Sequence, residues 1–269
     1  MLKLFADILI REEREHTMSY STEQLLKIGM EVISEAEKGG AQLRLLGGIA
    51  YYLNSPKARN LPQFQRVYKD LDFAVNSKGT KTITQAFKKL GWTDDQQFNA
   101  LHGATRMLFY YGEELDLQVD IFVGVFEQCH KLNFEKRLSL TSPTIPLADL
   151  LLTKLEIHQL NRKDVLDLVM LLYDHDFGLH NDEEKKELQY ILDIISNDWG
   201  WYTTIHDNLD VIENMLGEFV EGEDLSRIKE TLGFIQTSIE NAPKSIKWKM
   251  RSSIGRKMQW YELPEEVIR

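Results

Sequence analysis

Hydrophobic positions recur along the chain with two different periods, and the change of period divides it. Residues 22–38, TEQLLKIGMEVISEAEK, carry apolar side chains at helical spacing, with Leu25, Ile28, Val32 and Ile33 on one face and Gly39-Gly40 as the stop. QLRLL (42–46) predicts a short strand, Gly47-Gly48 a turn, and IAYYLNS (49–55) a second helix. A connecting stretch over 54–64, with Pro56 and Pro62, precedes a strand predicted over 67–75, VYKDLDFAV. KTITQAFKKLG (81–91) predicts a helix closed by Gly91. TRMLFYYG (105–112) and ELDLQVDIFVG (114–124) predict a hairpin across Gly112-Glu113-Glu114. In its second strand Leu115, Leu117, Val119, Ile121 and Val123 alternate with Asp116, Gln118, Asp120 and Phe122. After Pro146 the period is helical: ADLLLTKLEIHQL (148–160), RKDVLDLVMLLYDH (162–175) and most of 182–242. Strands and helices are partly segregated, which predicts an α+β protein. The expected parts are a helical segment over 1–40, a mixed sheet with flanking helices over 41–146, and a helical portion over 147–269.

Composition narrows the class. Hydrophobic residues make up 43% and charged residues 28%, as in an ordinary globular protein, and no apolar run approaches membrane-spanning length. The opening MLKLFADILIREEREHTM meets charges at once and has no small-residue cleavage site. It is expected to be a short amphipathic helix, or an over-extended start with Met18 as the native one, rather than a signal peptide. The single cysteine, Cys129, excludes an intrachain disulfide and points to a reducing cytoplasm.

The formal charge of −10 argues against an overall basic nucleic-acid binder. Yet PKSIKWKMRSSIGRKMQWY (243–261) holds Lys244, Lys247, Lys249, Arg251, Arg256 and Lys257 and no acid. Trp248 and Trp260 are interleaved with these cations, as in a segment that holds a phosphate backbone and stacks a base. The alternative is that the tryptophans pack the tail onto the core and the lysines are solvated.

The chemistry-bearing residues begin with Asp70 and Asp72. On a strand, residues two apart share a face, so both carboxylates point the same way. Asp120 lies on the polar face of a second predicted strand. If the two strands pair, three carboxylates converge, a donor set suited to Mg²⁺ or Mn²⁺ with water and substrate phosphates in the remaining positions. Without a cation, like charges would drive one carboxyl to hold a proton. The same Asp-x-Asp spacing also describes the solvated face of an edge strand. Gly47-Gly48 closes a strand and opens a helix, which lets backbone N–H groups approach a phosphate. It also fits an ordinary tight turn.

These pieces in this order, LLGGIA (45–50), KDLDF (69–73) and QVDIF (118–122), resemble the polymerase-β-like nucleotidyltransferase superfamily. IPLADLLLTKLEIHQLNRKDVLDL (145–168) is similar to a segment of abortive-infection type II toxin nucleotidyltransferases, in which a lysine precedes Arg-Lys-Asp and a further Asp. The matching residues are Lys154, Arg162, Lys163, Asp164 and Asp167. The resemblance implies a nucleotidyltransferase core over 41–146 followed by a helical C-terminal domain. It implies that Gly47 and Gly48 cradle nucleotide phosphates, and that Asp70, Asp72 and Asp120 hold Mg²⁺ (or Mn²⁺), with Asp120 also helping to deprotonate the attacking hydroxyl. Lys154 would meet the triphosphate, while Lys163 and Asp164 shape the nucleotide or acceptor site. The implied reaction moves a nucleoside monophosphate from an NTP to an RNA, a protein or a small molecule. A non-catalytic nucleotide- or RNA-binding protein on the same fold is the alternative. Read without the resemblance, Lys154 fits a surface lysine, and Asp164 with Asp167 a solvated helix face. The chain departs from the pattern in its longer run from Gly48 to Asp70, whose Lys57, Arg59 and Arg66 fit either acceptor contacts or solvation. It departs again at Lys69, where many of those toxins carry Ser or Thr.

Other motifs fall away. YDHDFGLH (173–180) contains His-Asp, but no consistent set of further histidines accompanies it. His175 is expected near a helix C-terminus, where a cation is favoured. G-x-S-x-G, Walker, G-x-G-x-x-G and H-E-x-x-H motifs are absent.

Overall fold

The computed structural model describes residues 20–112 and 117–263. The opening segment 1–18 and the turn residues Glu113 and Glu114 lie outside the described residues. The protein is α+β, with helices around a mixed five-stranded sheet.

Helix α1 (Thr22–Lys38) starts at a capping box: the Ser21 hydroxyl accepts the Gln24 N–H and the Gln24 side chain accepts the Ser21 N–H. Strand β1 (Leu43–Leu46) runs straight into α2 (Gly47–Asn54), so the glycine pair forms the first residues of the helix itself. Next come β2 (Leu71–Val75), α3 (Thr80–Lys89), β3 (Thr93–Asp94), α4 (Gln96–His102), β4 (Arg106–Tyr111) and β5 (Leu117–Val123). The sheet order is β1-β2-β5-β4-β3, with β2 and β5 parallel and the other neighbours antiparallel. A small ribbon, β6 (Val125–Glu127) with β7 (Lys131–Asn133), follows.

Register divides the sheet into two chemically different faces. Leu71, Phe73 and Val75 of β2 lie opposite Val119, Ile121 and Val123 of β5, and all six are buried. Helices α1 and α3 cover this face, where Phe87 of α3 meets Phe73 edge-on with 6.4 Å between ring centroids. The alternate residues, Asp72 and Ala74 opposite Asp120 and Phe122, line the other face.

Helices α5 (Leu147–Leu155), α6 (Arg162–Asp174), α7 (Lys185–Asn197), α8 (Trp199–Met215), α9 (Gly222–Asn241) and α10 (Ile246–Ile254) complete the chain. Helix α2 packs against α5 and α6, and one hydrophobic cluster runs from Leu25 to Ile239. Among the described residues no helix is long and apolar enough to cross a membrane.

Three boundaries differ from the periodicity. The strand expected over 67–75 begins only at Leu71, and Val67 is 68% exposed. Leu46 is the last residue of β1 and stands opposite Asp72; beyond it the chain turns into α2, so residues 67–70 have no β1 partner. The helix expected over 148–160 ends at Leu155, because the Asn208 side chain donates to the carbonyls of Leu155 and Ile157 (2.9 and 2.8 Å). The stretch 54–64 is not a plain loop: two 3₁₀ turns, Ala58–Asn60 and Pro62–Phe64, bury Ala58 and Phe64. The Asp174 carboxylate accepts the N–H groups of Lys57 and Ala58 at 3.0 and 2.9 Å.

Candidate functional site

Strand β2 lies inside the sheet, between β1 and β5, so its aspartates are not the solvated face of an edge strand. Asp72 stands directly across from Asp120 on the parallel neighbour. Asp70 is exposed and immediately precedes the strand, so the strand face expected to carry both Asp70 and Asp72 carries Asp72 alone, because β2 starts only at Leu71. Burial raises the Asp72 carboxyl well above the usual carboxylate range, and the charges of Asp70 and Asp120 push it the same way. Lys154 and Arg106 oppose that shift, which places both cations within electrostatic reach of Asp72.

The glycine pair fits tightly beside this carboxylate. Gly47 has φ +65°, and a Cβ there would collide with the Asp72 side chain. A Cβ on Gly48 would collide with the Arg66 guanidinium and the Tyr68 ring. Leu46, the N-cap of α2, offers no side-chain hydrogen bond, so the first N–H groups of α2 lack a side-chain cap beside Asp72 and Arg66.

The third aspartate is already engaged. Asp120, 5% exposed, receives Arg106 on Oδ1 at 2.6 Å and Gln118 Nε2 on Oδ2 at 2.8 Å. The pattern along the chain gives neither Arg106 nor Gln118 a role at Asp120. Gln118 has the right parity, two residues before Asp120, but Arg106 reaches it from β4, and nothing along the chain links the two.

Lys154 is not a surface lysine: its side chain is 17% exposed. Its Nζ lies 2.6 Å from Asp164 Oδ1 and 3.2 Å from Asp167 Oδ2. Burial would lower its pKa, but Asp167 and Asp164 outweigh that and raise it, so the ammonium stays charged. Asp164 and Asp167 are 7% and 0% exposed, so they are not a solvated face. Arg66 donates from Nη2 to Asp167 Oδ2 at 3.1 Å and stacks over Tyr68. Arg66 is thus not simply solvated, and Arg59 stacks on Tyr52. Arg66 Nε, Tyr68 Oη and Asp167 Oδ1 are buried with no hydrogen-bond partner.

Gly47, Gly48, Asp70, Asp72, Asp120, Lys154 and Asp164 thus contribute to one neighbourhood. Lys163 does not join it: it is exposed, and its described bond is a backbone N–H to Asn161 Oδ1. His175 caps α6 with Nδ1 2.8 Å from Glu184 and Nε2 2.7 Å from the Asn54 carbonyl, a structural role.

Among the described residues no three carboxylate, imidazole or thiol groups are arranged as a ready cation cage. The donors are hard carboxylate oxygens, the type that Mg²⁺ or Mn²⁺ takes, and Asp70 and Asp120 act on Asp72 through their charge. No protein-family model matches the chain, and no curated protein matches it.

Proposed function

We propose that the protein is a Mg²⁺- or Mn²⁺-dependent nucleotidyltransferase of the polymerase-β-like kind, with a helical C-terminal domain similar to that of abortive-infection type II toxins. It would transfer a nucleoside monophosphate from an NTP to an acceptor hydroxyl or phosphate on RNA, protein or a small molecule, breaking the bond between the α- and β-phosphates and releasing pyrophosphate. The observation that carries this reading is the pairing of Asp72 and Asp120 on adjacent parallel strands, beside the glycine-opened N-terminus of α2.

Asp70, Asp72 and Asp120 are the residues that would hold the cation. When bound, it neutralises charge developing on the transferred phosphoryl group. The chain's own groups handle the rest. The uncapped amides of α2 offer donors to a phosphate. Lys154 acts as a fixed positive charge whose position Asp164 and Asp167 set. Gln118 and Arg106 fix the Asp120 carboxylate, the group proposed to take the acceptor's proton.

One observation favours the alternative of a non-catalytic nucleotide- or RNA-binding protein: both Asp120 oxygens are occupied by groups of the chain itself. Incubation with labelled NTPs, Mg²⁺ and total RNA separates the two. The enzyme reading expects label transfer that falls at least a hundredfold in Asp70→Ala and in Asp72→Ala. Labelling equal to wild type in both variants overturns it. Nucleotide binding without transfer assigns the alternative.

A further inference from the structure

We propose that a second site, distinct from the aspartate cluster, binds a nucleobase together with its phosphate. The site is a cavity of about 500 Å³ between β7, the start of α8, α10 and the tail at 259–262. That volume lies in the range of small-molecule pockets. Four of the chain's five tryptophans line it: Trp199, Trp201, Trp248 and Trp260. The fifth, Trp92, packs against Phe87 under the sheet.

The rings are arranged edge to face. Trp260 meets Trp199 at 75° and Tyr261 at 83°, with centroids 5.9 and 5.3 Å apart. Trp201 stacks on His130 (centroids 4.8 Å apart), Tyr261 stacks on His158 (3.7 Å) and Arg256 lies 4.9 Å over Trp260, so one face of each of these rings is covered and a planar group would stack on the other. Trp248 meets Tyr202 at 84°, and its indole N–H is buried with no acceptor. Trp260 donates its indole N–H to Thr204 at 3.1 Å, which holds that ring in place.

Charge supplies the second half of the recognition. Lys131, Lys247 and Arg251 line the cavity, and Arg251 sits 4.5 Å over the Trp199 ring. Two acids also line it, Asp198 and Glu262. Asp198 is spent as the cap of α8, accepting the N–H groups of Gly200 and Trp201. Lys131 pairs with Glu127 at 2.6 Å and also feels the charge of Glu262, Arg251 donates to the carbonyls of Gly255 and Met258 at 2.8 and 2.7 Å, and Lys247 is the exposed cation left to meet a phosphate. Cations beside stackable indoles match a base with its phosphate, whereas a purely apolar ligand would leave the lysines without a role. This site stands whether or not the aspartate cluster transfers nucleotides.

The base could come from a mononucleotide or from a single strand. The experiment titrates the full-length protein with AMP, with a ten-nucleotide oligo(U) or oligo(A) RNA, and with an RNA duplex of that length. Tryptophan fluorescence and the anisotropy of labelled RNA are read at 50 and 200 mM salt. The expected result is quenching by single strands, with affinity falling about threefold between those salts for the one phosphate contact of Lys247. Trp260→Ala should lose at least about fivefold. Lys247→Gln, on the surface, should flatten the salt dependence, and it decides the matter if the tryptophan variant does not fold. AMP binding as tightly as the oligomers assigns the site to free nucleotides, and far tighter oligomer binding assigns it to a strand. The proposal is overturned by absence of quenching at 50 mM salt, by a duplex binding as well as single strands, or by folded variants that bind like wild type.

Discussion

Glu156 is where burial and charge are most at odds. It is fully buried at the end of α5, one carboxylate oxygen accepts the His130 N–H at 3.0 Å, and the other has no partner. Burial raises its pKa from 4.5 to about 9. The folded state therefore keeps a proton that the unfolded chain releases, so this group's contribution to stability declines as pH rises from about 4.5 to about 9. Glu156→Gln is neutral throughout and is expected to stabilise by on the order of 3 kcal/mol at neutral pH. Thermal unfolding at several pH values checks this: the gap between variant and wild type should widen from acid to neutral pH, and a constant gap refutes the assignment. Gly47 offers the opposite test. Its positive φ and its contact with Asp72 leave no room for a methyl group. Gly47→Ala should cost about 1–3 kcal/mol in urea denaturation and, on the proposed function, weaken nucleotide binding at the same time. The importance of glycine at 47 was legible in the sequence, because a strand that passes directly into a helix needs it. The burial of Glu156 was not, because a glutamate at a helix end is ordinarily solvated.

At the level of elements, Lys154 ties α5 to α6. It is the shared partner of Asp164 and Asp167, both under a tenth exposed. Lys154→Met should destabilise by about 3–5 kcal/mol, since it strands buried carboxylates. Asp164→Asn added to that variant should recover part of the loss, because one of the stranded charges disappears. Urea denaturation of the single and double variants checks both statements, and a double variant no more stable than the single one removes Asp164 from the pairing. The two helices themselves were readable from their period. Where α5 stops was not, since its end is set by Asn208 on α8, 53 residues from Leu155. Strand β2 has the same history: its apolar alternation was visible, but its start depends on where β1 runs out of residues to pair with.

Across the whole molecule, the sheet and the later helices share their core. The Tyr51 hydroxyl on α2 donates to the Leu150 carbonyl on α5 at 2.7 Å. Asp174 at the end of α6 caps the turn at Lys57 and Ala58, and Arg66 reaches Asp167. A division of the chain after residue 146 cuts through these contacts. A fragment spanning 20–146 is therefore expected to show no cooperative thermal transition, while the full chain unfolds in one step. A sharp transition in the fragment would make the two parts separate folding units.

The sequence by itself determined the α+β class, the hairpin of β4 and β5, the glycine-opened helix α2, and the placing of Asp72 and of Asp120 at polar positions of two strands. Each follows from a period or from turn chemistry, which act between residues close along the chain. Only the tertiary structure decided that β2 is interior, that Arg106 and Gln118 hold Asp120, that Lys154 is enclosed by two aspartates, and that four tryptophans share one cavity. Burial and charge pairing are properties of neighbours in space. Arg66 and Asp167, 101 residues apart, become partners only once the sheet and the helices have packed.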